Sequence, residues 1–347
     1  MRKAEKSNRI ALLLLSLFGV VAGVYGFVRY SLHFPVPTRK NPVRLYATHN
    51  GSDLRLITLR AIEGAGRSIH IHTYALTDLH VLSALAKKAR AGIPVHITCH
   101  PGNLPALPAL PSFHIHRYRG KGLMHAKWLI IDETRVFLGT ANLTTASLVM
   151  HDNFLLGFHS PHFADHLITT SHAPYCGTIG SMRLHYFILP DQGGGLRHLL
   201  ETIASARYRI DGALFTLTHP EIVRSLIEAR SRGISVRLFI DAHNLRGSAR
   251  NASRQLVGKG IRVKGNRTIP LLHHKWALID QSTLILGSAN WTRAAFRTNR
   301  DFILSLSPLS REQSRYVRRT ITILDQEGKA EEEEEETVPS TALPLPN

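Results

Sequence analysis

The sequence carries the stretch MHAKWLIID at residues 124–132 and repeats it as LHHKWALID at residues 272–280. Seven residues after the final Asp of each copy stands a second short motif, GTAN at 139–142 and GSAN at 287–290. Matching positions in the two copies are 148 residues apart throughout. Two copies that agree in residue type and in spacing within one chain indicate a duplicated domain.

Each copy is preceded by the pattern of a strand, a helix and a second strand. In the first half, an apolar run at 68–74 is followed by apolar residues at helical spacing over 79–89. The same order returns over residues 209–238. Gly92 and Gly233 stand at matching helix ends, where glycine supplies the left-handed conformation that ends a helix. Each half is therefore predicted to be an α/β unit.

We therefore expect an α/β fold in which two α/β sandwich halves, residues 43–172 and 183–325, are related by a pseudo-two-fold axis. The two motif strands would then face each other across one shared site. A homo-oligomer is not required to complete such a site.

The motif histidines and lysines are candidates for chemistry. Side chains two positions apart in a strand project from the same face, so His125 lies beside Lys127 and His273 beside Lys275. A single His-x-Lys pair is usually an exposed strand face. Its duplication, together with the downstream Gly-x-Ala-Asn motif, favours a functional site.

These residues resemble the signature of the phospholipase D superfamily: His-x-Lys, four residues, Asp, then Gly-Ser-x-Asn. The second copy matches every element, and the first departs only at Thr140. With the helix and strand repeats, the resemblance extends over roughly residues 44–325. It implies that each half is a phospholipase D-like domain. It also implies a phosphodiesterase in which one histidine attacks phosphorus and the other protonates the departing oxygen.

The resemblance implies a role for each motif residue. His125 would be the nucleophile and His273 the general acid. The side chains expected around the phosphate oxygens, where they stabilise the transition state as a metal does elsewhere, are Lys127, Lys275, Asn142 and Asn290. Asp132 and Asp280 would be structural partners at strand-end turns.

The order of the two histidines stays open at this point. Family members commonly place an acidic residue after the Asn, where it holds the imidazole, and Asp301 fits, 28 residues after His273. Asn153 stands 28 residues after His125. Because a carboxylate raises the basicity of an imidazole more than an amide does, either Asp152 replaces Asn153 after a small shift, or His273 is the nucleophile.

The N-terminus predicts a membrane segment within residues 1–30. Residues 10–28 contain no charge and follow four basic residues. At 1.5 Å per residue, this stretch spans roughly 28 Å, close to a bilayer core. An uncleaved transmembrane anchor is favoured, and the alternative is a cleaved signal sequence, so the protein would be membrane-anchored or secreted. Basic residues flank both ends, and the orientation is open.

Charge favours an anionic partner. The net charge is +18, although residues 327–347 carry seven glutamates against one lysine and are predicted to be a disordered acidic tail. The preceding chain is more basic still, which suits an anionic membrane surface or nucleic acid. Two cysteines and no His-Glu-x-x-His spacing lead us to expect no metal and no cofactor.

The substrate is not determined by the fold. The apolar N-terminal segment favours phospholipids, through hydrolysis or transphosphatidylation. The alternative is an endonuclease that cleaves nucleic-acid phosphodiesters, and a catalytically inactive phosphate-binding protein is a third option. The Pro- and Leu-rich loop Pro101–Ser112 is expected to line the mouth of the site or to enter a membrane.

Overall fold

The two copies of the repeat fold into two mixed β-sheets. The structure is a computed structural model, and it describes residues 34–169, 173–266 and 270–330 and a few positions between 16 and 23. One unit ends at Pro35, and a second, compact unit begins at Val36. Both sheets lie in the second unit.

The predicted membrane anchor, residues 10–28, lies almost wholly outside the described residues, and so does the predicted tail beyond residue 330. The few described positions of the anchor, such as Phe18 and Val20, are helical. Across the part of the chain that the structure describes, no helix is both long enough and apolar enough to span a bilayer. The anchor and the tail stay predictions.

The first sheet has seven strands in the order β1-β7-β6-β5-β2-β3-β4. They are β1 (Val43–Ala47), β2 (Ile69–Thr73), β3 (Val95–Cys99), β4 (Phe113–Arg117), β5 (Trp128–Ile131), β6 (Arg135–Gly139) and β7 (Phe154–His159). Strands β2, β3 and β4 are parallel, and β5 pairs with β2 in the antiparallel sense.

The second sheet has nine strands in the order β16-β12-β11-β10-β13-β14-β15-β9-β8. They are β8 (Tyr175–Ile179), β9 (Met182–Leu189), β10 (Arg209–Leu214), β11 (Ser235–Ile240), β12 (Arg262–Asn266), β13 (Lys275–Ile279), β14 (Thr283–Gly287), β15 (Asp301–Ser307) and β16 (Gly328–Ala330). Seven neighbouring strands, β9-β15-β14-β13-β10-β11-β12, repeat the strand order of the first sheet. Strands β8 and β16 extend the two edges.

Within residues 34–330, as far as the structure describes them, nine α-helices connect and cover the strands. They are α1 (Leu54–Glu63), α2 (Leu79–Arg90), α3 (Pro161–Thr169), α4 (Gly194–Ala204), α5 (Pro220–Ser231), α6 (Ala242–Arg246), α7 (Arg250–Val257), α8 (Arg293–Arg297) and α9 (Arg311–Glu327). The predicted helices of the repeat are α2 and α5. Gly92 and Gly233 follow them with φ of 81° and 87°, as expected of glycines that end helices.

The core that positions the site lies between the two sheets. It is a cluster of buried side chains from both halves, including Trp128, Phe154, Trp276 and Phe302. A second cluster packs the second sheet against α4 and α5. Because the burial of one large apolar side chain stabilises a fold by roughly 2 kcal/mol, the shared cluster holds the halves in a fixed relation.

The halves also exchange equivalent backbone contacts. Met124 bridges Arg300, and Leu272 bridges Asp152. Residue 272 is the repeat equivalent of residue 124, and residue 300 is the repeat equivalent of residue 152, so the two bridges are equivalent. Such reciprocity is the pattern that an approximate two-fold axis produces. The α/β class is confirmed, whereas the predicted domain boundaries stay predictions.

Asp132 and Asp280 occupy tight turns at the ends of the motif strands, away from the histidines. Both have positive φ, 54° and 49°. The carboxylate of Asp132 accepts hydrogen bonds from the backbone N–H groups of 66, 67 and 68, and that of Asp280 from those of 207, 208 and 209. Burial alone raises the pKa of each carboxyl, but these N–H groups outweigh it and lower the net pKa. Each carboxylate therefore ties its motif strand to the start of the neighbouring strand.

Asp132→Ala should destabilise the protein by about 2 kcal/mol, because three backbone donors and the Arg135 guanidinium lose their acceptor. Glu133→Ala is the matched control. The Glu133 side chain is half exposed and pairs with the exposed Arg67, so its loss should change the free energy of unfolding by less than about 0.5 kcal/mol. Urea unfolding of the full-length variants measures both values, and equal losses would contradict this role for Asp132.

Candidate active site

The motif histidines and lysines meet at the end of the sheets where the motif strands begin. His125 and Lys127 immediately precede β5, and Lys275 is the first residue of β13. All four residues, including His273, are at least nine-tenths buried. The two pairs form one electrostatic cluster, since Lys275 lowers the pKa of His125 and Lys127 lowers that of His273. The structure thus brings together the two motifs that the sequence repeats.

Each imidazole is held by a residue of the opposite half. His125 Nδ1 lies 2.7 Å from Asp301 Oδ1, and His273 Nδ1 lies 3.0 Å from Asn153 Oδ1. Asp301 and Asn153 are both completely buried. The pairing is reciprocal, because Asp301 occupies in the second half the position of Asn153 in the first.

The spacing along the sequence suggested that Asp301 serves His273 and that Asn153 or Asp152 serves His125; that pairing within each copy is wrong. The bridge between Met124 and Arg300 brings the start of β15 beside His125, and so delivers Asp301 to it. Asp152 does not replace Asn153, because its carboxylate turns toward Thr48. The carboxylate therefore belongs to the histidine of the first copy.

The hydroxyl groups of the downstream motifs hold these orienting residues. Ser288 Oγ donates to Asp301 Oδ1 at 2.7 Å, and Thr140 Oγ1 donates to Asn153 Oδ1 at 2.7 Å. Each hydroxyl also accepts from the backbone N–H after the residue it holds, at 2.9 Å. Thr140 thus makes the same contacts as Ser288, which explains why this departure from the family signature is tolerated.

The hydrogen-bond network determines the position of the imidazole protons. Asn153 Nδ2 donates to the carbonyl of Ser147 at 2.8 Å, so its Oδ1 can only accept, and His273 must donate from Nδ1. The ionised carboxylate of Asp301 likewise accepts from Nδ1 of His125. Both rings therefore carry a proton on Nδ1 and present Nε2 as the reactive nitrogen.

Burial keeps both imidazoles neutral. It lowers the pKa of His125 although Asp301 opposes the effect, and it lowers the pKa of His273 still further, with Lys275 and Lys127 adding to the shift. Burial raises the pKa of Asp301, but His125 and Lys127 outweigh this and leave the net pKa below its ordinary value. A neutral His125 beside an ionised Asp301 is the state that a nucleophile requires.

The two lysines are equally buried. Burial lowers the pKa of Lys127 to about 7, although Asp301 opposes it, and lowers that of Lys275 well below its ordinary value. Each ammonium donates to the backbone carbonyl of the histidine two residues earlier. A phosphate anion in this cluster would raise the pKa of both lysines and of His273, so the site is built to bind negative charge.

An aromatic residue at each motif was missed by sequence reasoning. Tyr74 and Phe215 lie at equivalent positions just after β2 and β10. The Lys127 ammonium is 5.9 Å from the Tyr74 ring centroid, and that of Lys275 is 5.1 Å from the Phe215 ring centroid. The same rings pack edge-on against His125 and His273. Sequence reasoning could have found them, because aromatic residues stand at equivalent positions of the two repeats.

The motif asparagines each carry an amide oxygen that is buried without a partner among the described residues. The buried Oδ1 atoms of Asn142 and Asn290 accept no hydrogen bond from any residue that the structure describes. An unpaired buried polar group costs about 1–3 kcal/mol. Two of them at equivalent positions are typical of a functional site rather than of ordinary packing.

A second buried cluster lies beneath His273 and was also missed. His274 Nε2 lies 3.2 Å from His49 Nδ1, and His49 Nε2 lies 3.5 Å from both Asp152 Oδ2 and Glu327 Oε2. Burial lowers the pKa of His49 to about 4, whereas burial and the neighbouring Glu327 raise the pKa of Asp152 to about 7. The position equivalent to His274 is Ala126, so the first half has no counterpart of this cluster.

Within the described ranges, no group of three or more His, Cys, Asp or Glu side chains could hold a metal ion. Lys127 and Lys275 are placed to supply positive charge to a phosphate at this site. The loop of residues 101–112 joins β3 to β4 and leaves the sheet at the same end as the site.

The family described as "Cardiolipin synthase, PLD-like domain" matches the chain twice, over residues 58–171 and 199–320. The two matches together cover more than half of the chain. Each contains one complete His-x-Lys motif and its downstream Asn.

Individual relatives match over shorter stretches. The mitochondrial cardiolipin hydrolase of Mus musculus is 33% identical over 132 residues, which are 38% of this chain and 56% of the relative. A phospholipase D of Rickettsia bellii is 27% identical over 111 residues, which are 32% of this chain and 55% of the relative. The chain spans about half the length of the curated relatives it matches.

Among solved structures, phosphatidylserine synthase from Haemophilus influenzae Rd KW20 superposes with a TM-score of 0.64. The match covers 86% of this chain and 89% of the other, at 10% sequence identity. At that identity the similarity shows a shared fold alone.

Asp152→Asn should stabilise the protein increasingly as the pH rises from 4 to 8, by more than about 1 kcal/mol in total. The raised pKa means that Asp152 keeps its proton in the fold up to about pH 7 but loses it near pH 4 when unfolded. Native stability is therefore lost as the pH rises through this window, and an asparagine cannot ionise.

Urea unfolding at several pH values measures the difference between variant and parent. Asp165→Asn, on the exposed face of α3, is the control, and its difference from the parent should not vary with pH. A difference for Asp152→Asn that stays constant or shrinks would show that the buried carboxyl is not protonated in the fold.

Proposed function

The chain belongs to the phospholipase D superfamily, and we propose that it is a phosphodiesterase that acts through a phosphohistidine intermediate. The observation that carries the proposal is the reciprocal pair of buried imidazoles. Each has its Nδ1 bound by the opposite half, and each is left with Nε2 for chemistry.

In the first step, Nε2 of His125 attacks phosphorus, and the bond from phosphorus to the departing oxygen breaks. His273, protonated when the phosphate is bound, gives its Nε2 proton to that oxygen. In the second step, neutral His273 removes a proton from water or an alcohol, whose oxygen attacks phosphorus and displaces His125. Water gives hydrolysis, and an alcohol gives transphosphatidylation.

The cross-half pairing supports His125 as the nucleophile. The Asp301 carboxylate raises the basicity of His125 Nε2 and stabilises the positive charge that the ring acquires on bonding to phosphorus. The neutral amide of Asn153 gives His273 no such support, so His273 releases its proton more readily. Lys127 and Lys275, with the amides of Asn142 and Asn290, would stabilise the charge on the phosphate oxygens of the transition state.

The proposed substrate is a phospholipid. The relatives named cardiolipin hydrolase and phospholipase D support this choice, as does the basic character of the chain. The predicted segment 10–28 would anchor the protein at the membrane, or direct its secretion if it is cleaved.

Full-length protein should release head group from mixed phospholipid vesicles in the presence of EDTA. His125→Ala should abolish the release, and His273→Ala should slow it by roughly 10²- to 10⁴-fold, because a general acid contributes about that much. Single- and double-stranded DNA and RNA serve as competing substrates in the same assay. Turnover of nucleic acid alone would replace the phospholipid with a nuclease substrate, and activity that survives both substitutions would refute the mechanism.

The order of the histidines can be tested with bis(p-nitrophenyl) phosphate, because p-nitrophenolate leaves without needing a proton. His273→Ala should then release a burst of one p-nitrophenolate per protein and retain the remaining phosphoryl ester on His125, since the base for the second step is missing. His125→Ala should give no burst. Mass analysis of peptides at alkaline pH locates the adduct, and an adduct on His273 in the His125→Ala variant would reverse the assignment.

A further inference from the structure

The loops around the site leave one end of the first sheet. Thr73 of β2 pairs with Cys99 of β3, and Cys99 pairs with Arg117 of β4. The N–H of Gly139, which ends β6, donates to the carbonyl of Lys127. The connections that follow β2, β3, β4 and β6 therefore emerge beside the catalytic lysine and form the first-half rim, residues 74–79, 100–112, 118–124 and 140–151.

The first-half rim exposes large apolar side chains. Leu79 is 76% exposed, Met150 57%, Val149 54% and Leu123 38%. Among the described residues of the compact unit, the other exposed large apolar side chains are Ile115 and Tyr208. Leu123 is two residues from His125, and its backbone bonds to Arg300 and Asn299 at the mouth of the site. The exposed apolar surface is thus concentrated where the substrate enters.

The same rim is basic and lacks exposed carboxylates. The sequence has no acidic residue between Asp78 and Asp132, and none between Glu133 and Asp152. Asp78 and Asp152 are buried, and Asp78 is paired with Arg55. Exposed Arg119 and Lys121 stand next to Leu123 in the chain.

The second half is different at the equivalent positions. Arg297 and Thr298 stand where the first half has Val149 and Met150, and Pro220 begins α5 where Leu79 begins α2. The duplication therefore supplies an internal comparison. Exposed apolar side chains at the positions of Leu79, Val149 and Met150 are therefore not required by the fold, whereas Leu123 is matched by Leu271, which is partly buried.

We propose that the first-half rim is a docking surface for an anionic phospholipid bilayer, with Leu79, Leu123, Val149 and Met150 entering the interface and Arg119 and Lys121 contacting the lipid phosphates. The proposal deepens the proposed function, since it states how the site meets a lipid substrate. Exposed aliphatic side chains gain by burial among acyl chains, and each basic residue near an anionic surface adds about 1 kcal/mol of attraction.

This chemistry fits a bilayer better than a nucleic acid. Surfaces that bind single strands combine basic residues with exposed aromatic rings on which bases stack. The exposed large apolar residues of the first-half rim are aliphatic or thioether side chains, which offer nothing to a base, and its tyrosine rings, Tyr74 and Tyr118, are only partly exposed. The rim therefore satisfies the apolar and the charged parts of a membrane interface together.

The test places a tryptophan reporter on the rim of the full-length protein. The three native tryptophans, Trp128, Trp276 and Trp291, are buried and form a constant background. Met150→Trp is the reporter, and Val149→Trp is a second reporter in case the first does not fold. Tyr208→Trp is the matched control, because Tyr208 is 74% exposed and lies at the opposite end, beside the Asp280 turn. The segment 10–28 is present in every variant.

Vesicles of phosphatidylglycerol with brominated acyl chains should shift the emission of Met150→Trp to the blue and quench about half of the introduced signal, because interfacial side chains sit roughly 5–10 Å into the boundary. Tyr208→Trp should not respond. The response should weaken in phosphatidylcholine vesicles and at high salt. The fluorescence response should persist when His125→Ala is combined with Met150→Trp, so that docking is measured separately from turnover.

Equal quenching of the rim and control reporters, or quenching of neither, would overturn the proposal. A response of Met150→Trp to DNA or RNA oligonucleotides without a response to vesicles would also overturn it. If docking occurs but the parent protein releases no head group, the docking surface stands and the proposed substrate fails.

Discussion

The hydrogen bond from His125 to Asp301 is the interaction on which the rest of the structure depends. It joins the two halves across a buried interface, and it places a negative charge where water cannot reach it. Such a charge is tolerated in a protein interior only when it is paired, and here His125 and the Ser288 hydroxyl both donate to Oδ1 of Asp301. The Ser288 hydroxyl, the Arg300 backbone and the apolar cluster between the sheets all hold this one pair in place.

The two halves of the site are nearly symmetric, and they differ in the residue that holds each imidazole. Backbone contacts, hydroxyl groups, aromatic rings and lysines are duplicated at equivalent positions of the two halves. The partner of the imidazole is not, since it is a carboxylate on one side and an amide on the other. One such difference is enough to give two identical side chains different basicities, because the two partners are otherwise of nearly equal size and geometry.

The sequence predicted the fold elements and the residue types of the site, but not which residues contact each other. The repeat predicted two α/β halves and a shared cluster of His and Lys, because repeated spacing survives in the linear chain. It did not predict that Asp301 crosses to His125, since a separation of 28 residues says nothing about which strand is the neighbour in space. Strands β8 and β16 have no counterpart in the first half, so the repeat could not predict them. The cluster of His49, His274 and Asp152 is assembled from distant segments by tertiary packing.

The reciprocal exchange of orienting residues has a consequence for how such a site can diverge. Two identical half-size chains that paired through the same contacts would carry the same residue at both orienting positions, either two carboxylates or two amides. A fused chain can hold Asp301 on one side and Asn153 on the other, because its two halves need not be identical in sequence. The covalent link keeps two non-identical halves together, so that in the proposed mechanism one histidine can specialise in bonding to phosphorus and the other in moving the proton.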